Sequence, residues 1–143
     1  MNPETLASAR TALADARPPV PAILGERWMP PDPRCVAPIR RFVHDLVADW
    51  GADGTACGTA ELLVSELATN ALPHAPARIV VIREERLLTV EVHDRCQEPP
   101  LPQAGDVWDD GGRGLGIVAR LAYDWGWTPV PAGKAVWFRL AAW

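Results

Sequence analysis

Lysine is almost missing from this chain. Thirteen of its 14 basic residues are arginine, and the single lysine is Lys134. Asparagine is nearly as scarce, at Asn2 and Asn70 alone. Residues this rare mark positions worth testing as specific sites. Basic residues are outnumbered by 18 acidic ones, for a net charge of −4. That balance excludes the basic surface that a nucleic-acid partner requires. Long apolar runs are missing too, so no membrane span is expected. Residues 1–17 lack the apolar stretch of a signal peptide, and a cytoplasmic location is expected. The three cysteines, Cys35, Cys57 and Cys96, form no CxxC pair. A disulfide framework and a zinc site are thereby disfavoured, and reduced thiols are expected.

What is present is ordinary globular material. Apolar residues make up 48% and charged residues 22% of 143 residues, enough for one domain with a real core. Residues 1–27 are rich in Pro and Ala and read as a flexible tail, or as a strand leading in. Residues 28–143 read as the folded domain. Ile39, Phe42, Val43, Leu46 and Val47 recur at helical spacing, which predicts a helix over residues 36–50 that Gly51 stops. Ala60, Leu63, Val64, Leu67 and Ala71 predict a second helix over residues 55–72, ended by Pro73. Strands are predicted at residues 78–83 and 87–93, joined as a hairpin, with Leu88, Val90 and Val92 on one face. Residues 95–111 have no periodicity and are expected to form a lid. A third helix opens at the glycines and carries Leu115, Val118, Ala119 and Ala122 as its stripe. Strands at 127–130 and 135–141 follow. This order predicts an α+β sandwich, a mixed β-sheet covered on one face by helices.

Several residues carry chemistry. Glu66 and Asn70 are four apart and share a helical face bordered by Leu63 and Leu67. A carboxylate half-buried there is costly unless it is paired or functional. Together with an amide oxygen it can hold Mg²⁺ and a polarised hydroxyl. By spacing alone the pair reads more simply as a solvated helix flank. Asp94 ends an alternating strand, where a carboxylate can accept an exocyclic amine or simply form a turn. The run Gly111-Gly112-Arg113-Gly114-Leu115-Gly116 leads into a helix, so its amides suit phosphate; a flexible turn with a glycine cap is an equal reading of the run by itself. The run lacks Rossmann spacing, and Gly133-Lys134 is followed by Ala135, so no Walker A loop exists. His74 and His93 have no partner at metal-ligand spacing. Ser65 lacks a nucleophile elbow.

Taken in order, these boxes resemble one known group. Leu63-Val64-Ser65-Glu66-Leu67-Ala68-Thr69-Asn70-Ala71, then Asp94, then Gly112-Arg113-Gly114-Leu115, then Gly133-Lys134-Ala135-Val136-Trp137-Phe138 are similar to the GHKL (histidine-kinase-like) ATPases. Within these, the chain most resembles the anti-sigma-factor serine kinases and related small bacterial regulators. The resemblance covers residues 28–143. It implies a Bergerat-type sandwich that binds ATP with Mg²⁺. It further implies that Asn70 binds Mg²⁺, that Glu66 orients or deprotonates the attacking hydroxyl, and that Asp94 takes the adenine amine. Phosphates would be held by Arg113 and the backbone near Gly112, Gly114, Leu115 and Gly116, with Gly133 and Lys134 completing the nucleotide site. The implied partners are proteins, a sigma factor or its antagonist, and a homodimer is among the implied assemblies. The implied activity is transfer of the γ-phosphoryl group to a serine of the antagonist. The alternative is a nucleotide-dependent module that sequesters a partner without kinase activity. Two boxes depart from the superfamily pattern. Asp94 is followed by Arg95-Cys96-Gln97-Glu98-Pro99 in place of x-Gly-x-Gly, and Gly133-Lys134 replaces Gly-Thr.

Overall fold

The computed structural model describes residues 21–71, 76–95 and 110–143, with residues 110–114 as backbone only. Most of the expected tail and nearly all of the expected lid, residues 96–109, lie outside this description. Five strands form one sheet: β1 (Ala22–Met29), β2 (Ala77–Glu84), β3 (Leu87–Asp94), β4 (Asp124–Val130) and β5 (Gly133–Ala141). Their order across the sheet is β1-β2-β3-β5-β4. All four pairings are antiparallel, so the expected mixed sheet is antiparallel throughout the described residues. Alternation of side chains reports a strand but carries no direction, which is why the sequence pattern did not decide this. Three helices, α1 (Val36–Asp49), α2 (Gly54–Ala71) and α3 (Asp110–Leu121), complete the α+β sandwich.

Local chemistry sets the helix ends. Asp53 caps α2 by accepting the Ala56 N–H at 2.8 Å. Helix α1 ends at Gly51, whose φ of 88° suits glycine. The Gly51 N–H donates to the Ala48 carbonyl at 3.0 Å and the Ala52 N–H to the Val47 carbonyl at 3.1 Å, the paired bonds of a Schellman turn. Ile39, Val43 and Val47 are buried on α1, and all five residues of the expected α2 stripe are buried. The α3 stripe differs from expectation. Leu115 and Val118 are buried and Ala122 packs against the core, but Ala119 is exposed and Ile117 takes its share of the packing.

The sheet has one inner face. Leu88, Val90, Val92 and Asp94 are buried on β3, and the intervening residues are half-buried. Across the ladder they oppose Leu140, Phe138, Val136 and Lys134 of β5, also buried. Helix α2 packs on both of these strands and lies between α1 and α3. At the margins the elements run longer than the pattern predicts. Strand β1 starts at Ala22, ahead of Trp28. Strand β4 starts at Asp124, whose Oδ1 accepts from Arg139 Nε at 2.6 Å. Burial also pushes the Cys57 thiol up from its ordinary pKa, in keeping with a thiol packed in the core.

Phe138 is the largest fully buried side chain, at the centre of β5. Phe138→Ala is expected to destabilise the domain by about 3–5 kcal/mol, read from urea unfolding. A loss below about 1 kcal/mol would mean that the inner face is not the core.

Candidate functional site

The direction of the helices decides which residues can meet. The α2 start, Asp53 to Ala56, shares a groove with Leu121, Ala122 and Tyr123 at the α3 end and with Leu140 and Ala141 at the β5 end. Helices α2 and α3 pack side by side, so they run antiparallel. The C-terminal half of α2, with Glu66 and Asn70, therefore lies beside the N-terminus of α3. That is the sheet end where β3 finishes at Asp94 and β5 begins at Gly133. The fold thus gathers all the sequence-predicted residues toward one end of the helix–sheet interface.

Glu66 and Asn70 are both half-buried on α2, between buried Leu63, Leu67 and Ala71 on one side and exposed Leu62 and Thr69 on the other. This is the border position that their spacing predicts. The neighbouring hydroxyls are spent on the helix itself. Ser65 Oγ donates to the Leu62 carbonyl and Thr69 Oγ1 to the Ser65 carbonyl, each at 2.7 Å. Helix α3 begins at Asp110, so the amides that a helix leaves unpaired are those of its first turn, up to Gly112. Gly114 and Gly116 fall within the ladder. Leu115 is 2% exposed and packs in the core.

Asp94 is the charged end of the inner row of β3. Its carboxylate is 5% exposed, and Oδ1 accepts from Lys134 Nζ at 3.1 Å; the lysine side chain is 6% exposed. Sequence reasoning placed both residues in the site but not in contact, because 40 residues separate them. The signal that could have joined them is the lone lysine in an arginine-rich chain. Gly133 lies where two strands approach closely. A Cβ there would lie 1.9 Å from the Asp94 carbonyl oxygen and 2.6 Å from Arg95 Cα. It permits the close approach of two strands that sets Lys134 against Asp94. His93 joins none of this. It sits in the alternate row of β3, its Nε2 2.9 Å from Glu91 Oε1.

A family model, the histidine kinase-like ATPase domain, matches residues 29–140. The chain belongs to that family. No curated protein matches it significantly. As a histidine kinase-like ATPase domain it is an ATP-binding module, and no described helix is long and apolar enough to cross a membrane. The donor set suits this ligand. A buried carboxylate can accept a base amine, a hard amide oxygen on α2 suits Mg²⁺, and a helix N-terminus at the same end favours phosphate. Among the described residues no group of three or more His, Cys, Asp or Glu could hold a metal.

Gly133→Ala tests the strand approach. The added methyl meets backbone, which cannot step aside as a flexible side chain can. Loss of more than about 2 kcal/mol in urea unfolding is expected, with weaker nucleotide binding. A variant as stable as wild type would show that β3 and β5 do not close here as described.

Proposed function

We propose that this ATP-binding domain is a protein serine kinase of the anti-sigma-factor type, acting on a serine of a protein antagonist. The observation that supports the reading best is the placement of Glu66. It is a half-buried carboxylate one helical turn from Asn70, at the sheet end that holds Asp94. In this reading Asp94 accepts the adenine amine and Asn70 ligates Mg²⁺. The first-turn amides of α3 face the phosphates together with Arg113. Bound ATP and Mg²⁺ supply the phosphoryl donor and the neutralising charge. Glu66 orients the serine hydroxyl and takes its proton as the new Oγ–P bond forms and the bond from γ-phosphorus to the leaving oxygen of ADP breaks. Phosphoryl transfer depends mainly on positioning and charge stabilisation, so a sparse residue set suffices. The protein partners are the antagonist and the sigma factor, and the location is cytoplasmic.

Glu66 and Asn70 should fail differently. Asn70 acts on the bound complex, so Asn70→Ala should weaken Mg²⁺-dependent ATP binding in calorimetry. Glu66 acts on a hydroxyl that arrives only with the partner. Glu66→Gln should leave ATP affinity within a few-fold and lower partner phosphorylation by roughly 10²-fold or more, the scale of a positioned base. Phosphoserine formed at the wild-type rate by Glu66→Gln, read by mass spectrometry, would remove Glu66 from its role. Partner capture that needs ATP, with no phosphoserine formed, would replace the kinase with a nucleotide-dependent binding module.

A further inference from the structure

The helices pack on the inner face of the sheet. On the outer face Thr89, Glu91 and His93 of β3 are half-buried, alternating with the core row. Among the described residues no helix crosses that face. Antiparallel partners share a face, so Ile23, Ile82, Thr89 and Arg139 form one outer row from β1 to β5. Glu26, Val80, Glu91 and Trp137 form the next. Ile23 is 65% exposed at the edge of this face. A groove along it has Pro21, Ile82, Glu84, Thr89, Glu91 and Trp137 in its lining. Two arginines of the face meet acidic partners, Arg139 with Asp124 and Arg78 with Glu26. Glu84 and Glu91 make the groove acidic besides, and His93 offsets Glu91 only when protonated.

We propose that residues 5–16 dock along this outer face, as a cover supplied by the same chain. They lie outside the described residues, and the chain reaches the description at Pro21, which itself lines the groove. Only Arg17-Pro18-Pro19-Val20 intervene. Four residues span at most about 14 Å, which holds the segment beside the groove at an effective concentration on the order of millimolar. Its sequence fits what it would meet. Leu6, Ala9, Leu13 and Ala16 recur at the spacing of one helical stripe. Arg10 and Arg17 border that stripe, whereas Glu4 and Asp15 fall on the opposite side of the helical wheel. An apolar stripe flanked by two cations is complementary to an apolar groove that holds Glu84 and Glu91. The lengths agree as well. A helix over residues 5–16 is about 18 Å long, and five strands at their usual spacing make a sheet about 19 Å across. A second copy of the chain would have to bring the same segment without the tether. The cover is independent of the kinase reading, because Glu66, Asn70 and Asp94 belong to the helix side of the sheet.

Nuclear magnetic resonance on the isotope-labelled full chain tests this. A helix this short is marginal alone in water, so helicity in the segment reports docking. Helical shifts are expected over residues 5–16, with Overhauser contacts from the Leu6 and Leu13 methyls to Ile82 or Trp137. Amide exchange in the segment should be slowed about tenfold or more relative to an unstructured chain. Leu6→Asp combined with Leu13→Asp, made in the full chain, should return exchange to the unstructured rate. Unstructured shifts with no such contacts in the wild type would overturn the proposal, and so would undiminished protection in the double variant. A mixture of labelled and unlabelled chains separates one chain from two. Contacts found only between labelled and unlabelled chains would overturn the cover and make the outer face an interface between copies. Should the double variant not fold, the wild-type shifts and contacts still decide.

Discussion

Side chains along β3 alternate with a period of two, and that period ties the site to the core. Leu88, Val90 and Val92 must face the helices, because burying them contributes much of the domain's apolar stabilisation. Asp94 is next in the same row and is carried inward with them. A register slip of one residue would turn the aliphatic row out to the other face and take Asp94 with it. The carboxylate is therefore held in place by three aliphatic residues of the core. Opposite it, the β5 row of Leu140, Phe138 and Val136 places Lys134 in the same way.

An ion pair in that position is poorly explained by stability. Desolvating two charges costs several kcal/mol, and two apolar side chains of similar volume are often as good or better. Buried among Val92, Val136 and the α2 packing, such a replacement would extend the core without interruption. What an apolar pair cannot do is present an acceptor and a donor side by side to something that enters from outside. The antiparallel arrangement of α2 and α3 gives that something a place, since it brings Glu66, Asn70 and the α3 N-terminus to the same end. Removing either partner is a different matter from replacing both, because it takes away one side of a buried ion contact. The pair is thus costly to form and costly to break.

How far the sequence reveals this depends on the range of each interaction. Helices α1 and α2 are legible nearly to the residue, because their stripes, the Asp53 cap and Gly51 act within a few positions of chain. The hairpin of β2 and β3 is legible for the same reason. Ala119 is misassigned because alanine adds little to a stripe; the α3 face is set instead by Ile117 and Val118. The start of β4 is missed because Asp124 and Gly126 are poor strand residues. Asp124 is held by Arg139 of β5, and Gly126 lies under the Trp137 ring, where a Cβ would be 2.7 Å from Cζ2. Both contacts are made across the sheet. The antiparallel pairings of β1 with β2 and of β3 with β5, and the Asp94–Lys134 contact, are also long-range, and no local pattern encodes them. The glycine run is legible as a helix start, yet its division into first-turn amides and ladder amides needs the observed start at Asp110.

The identity of the one lysine then has a physical reading. This chain uses arginine almost everywhere a cation is needed, including the sheet-surface partner of Asp124. An arginine at position 134 would meet Asp94 with a planar fork and tend to take both carboxylate oxygens in parallel bonds. Arg139 does this with Asp124, donating from Nε to Oδ1 and from Nη2 to Oδ2. A carboxylate gripped in that manner has little capacity for a base amine. The lysine ammonium is compact, and its donors rotate about a single nitrogen. It meets Oδ1 through one nitrogen without imposing the parallel fork. At this one buried position the chain therefore uses a cation that reaches Asp94 through a single nitrogen, where everywhere else it uses the planar fork.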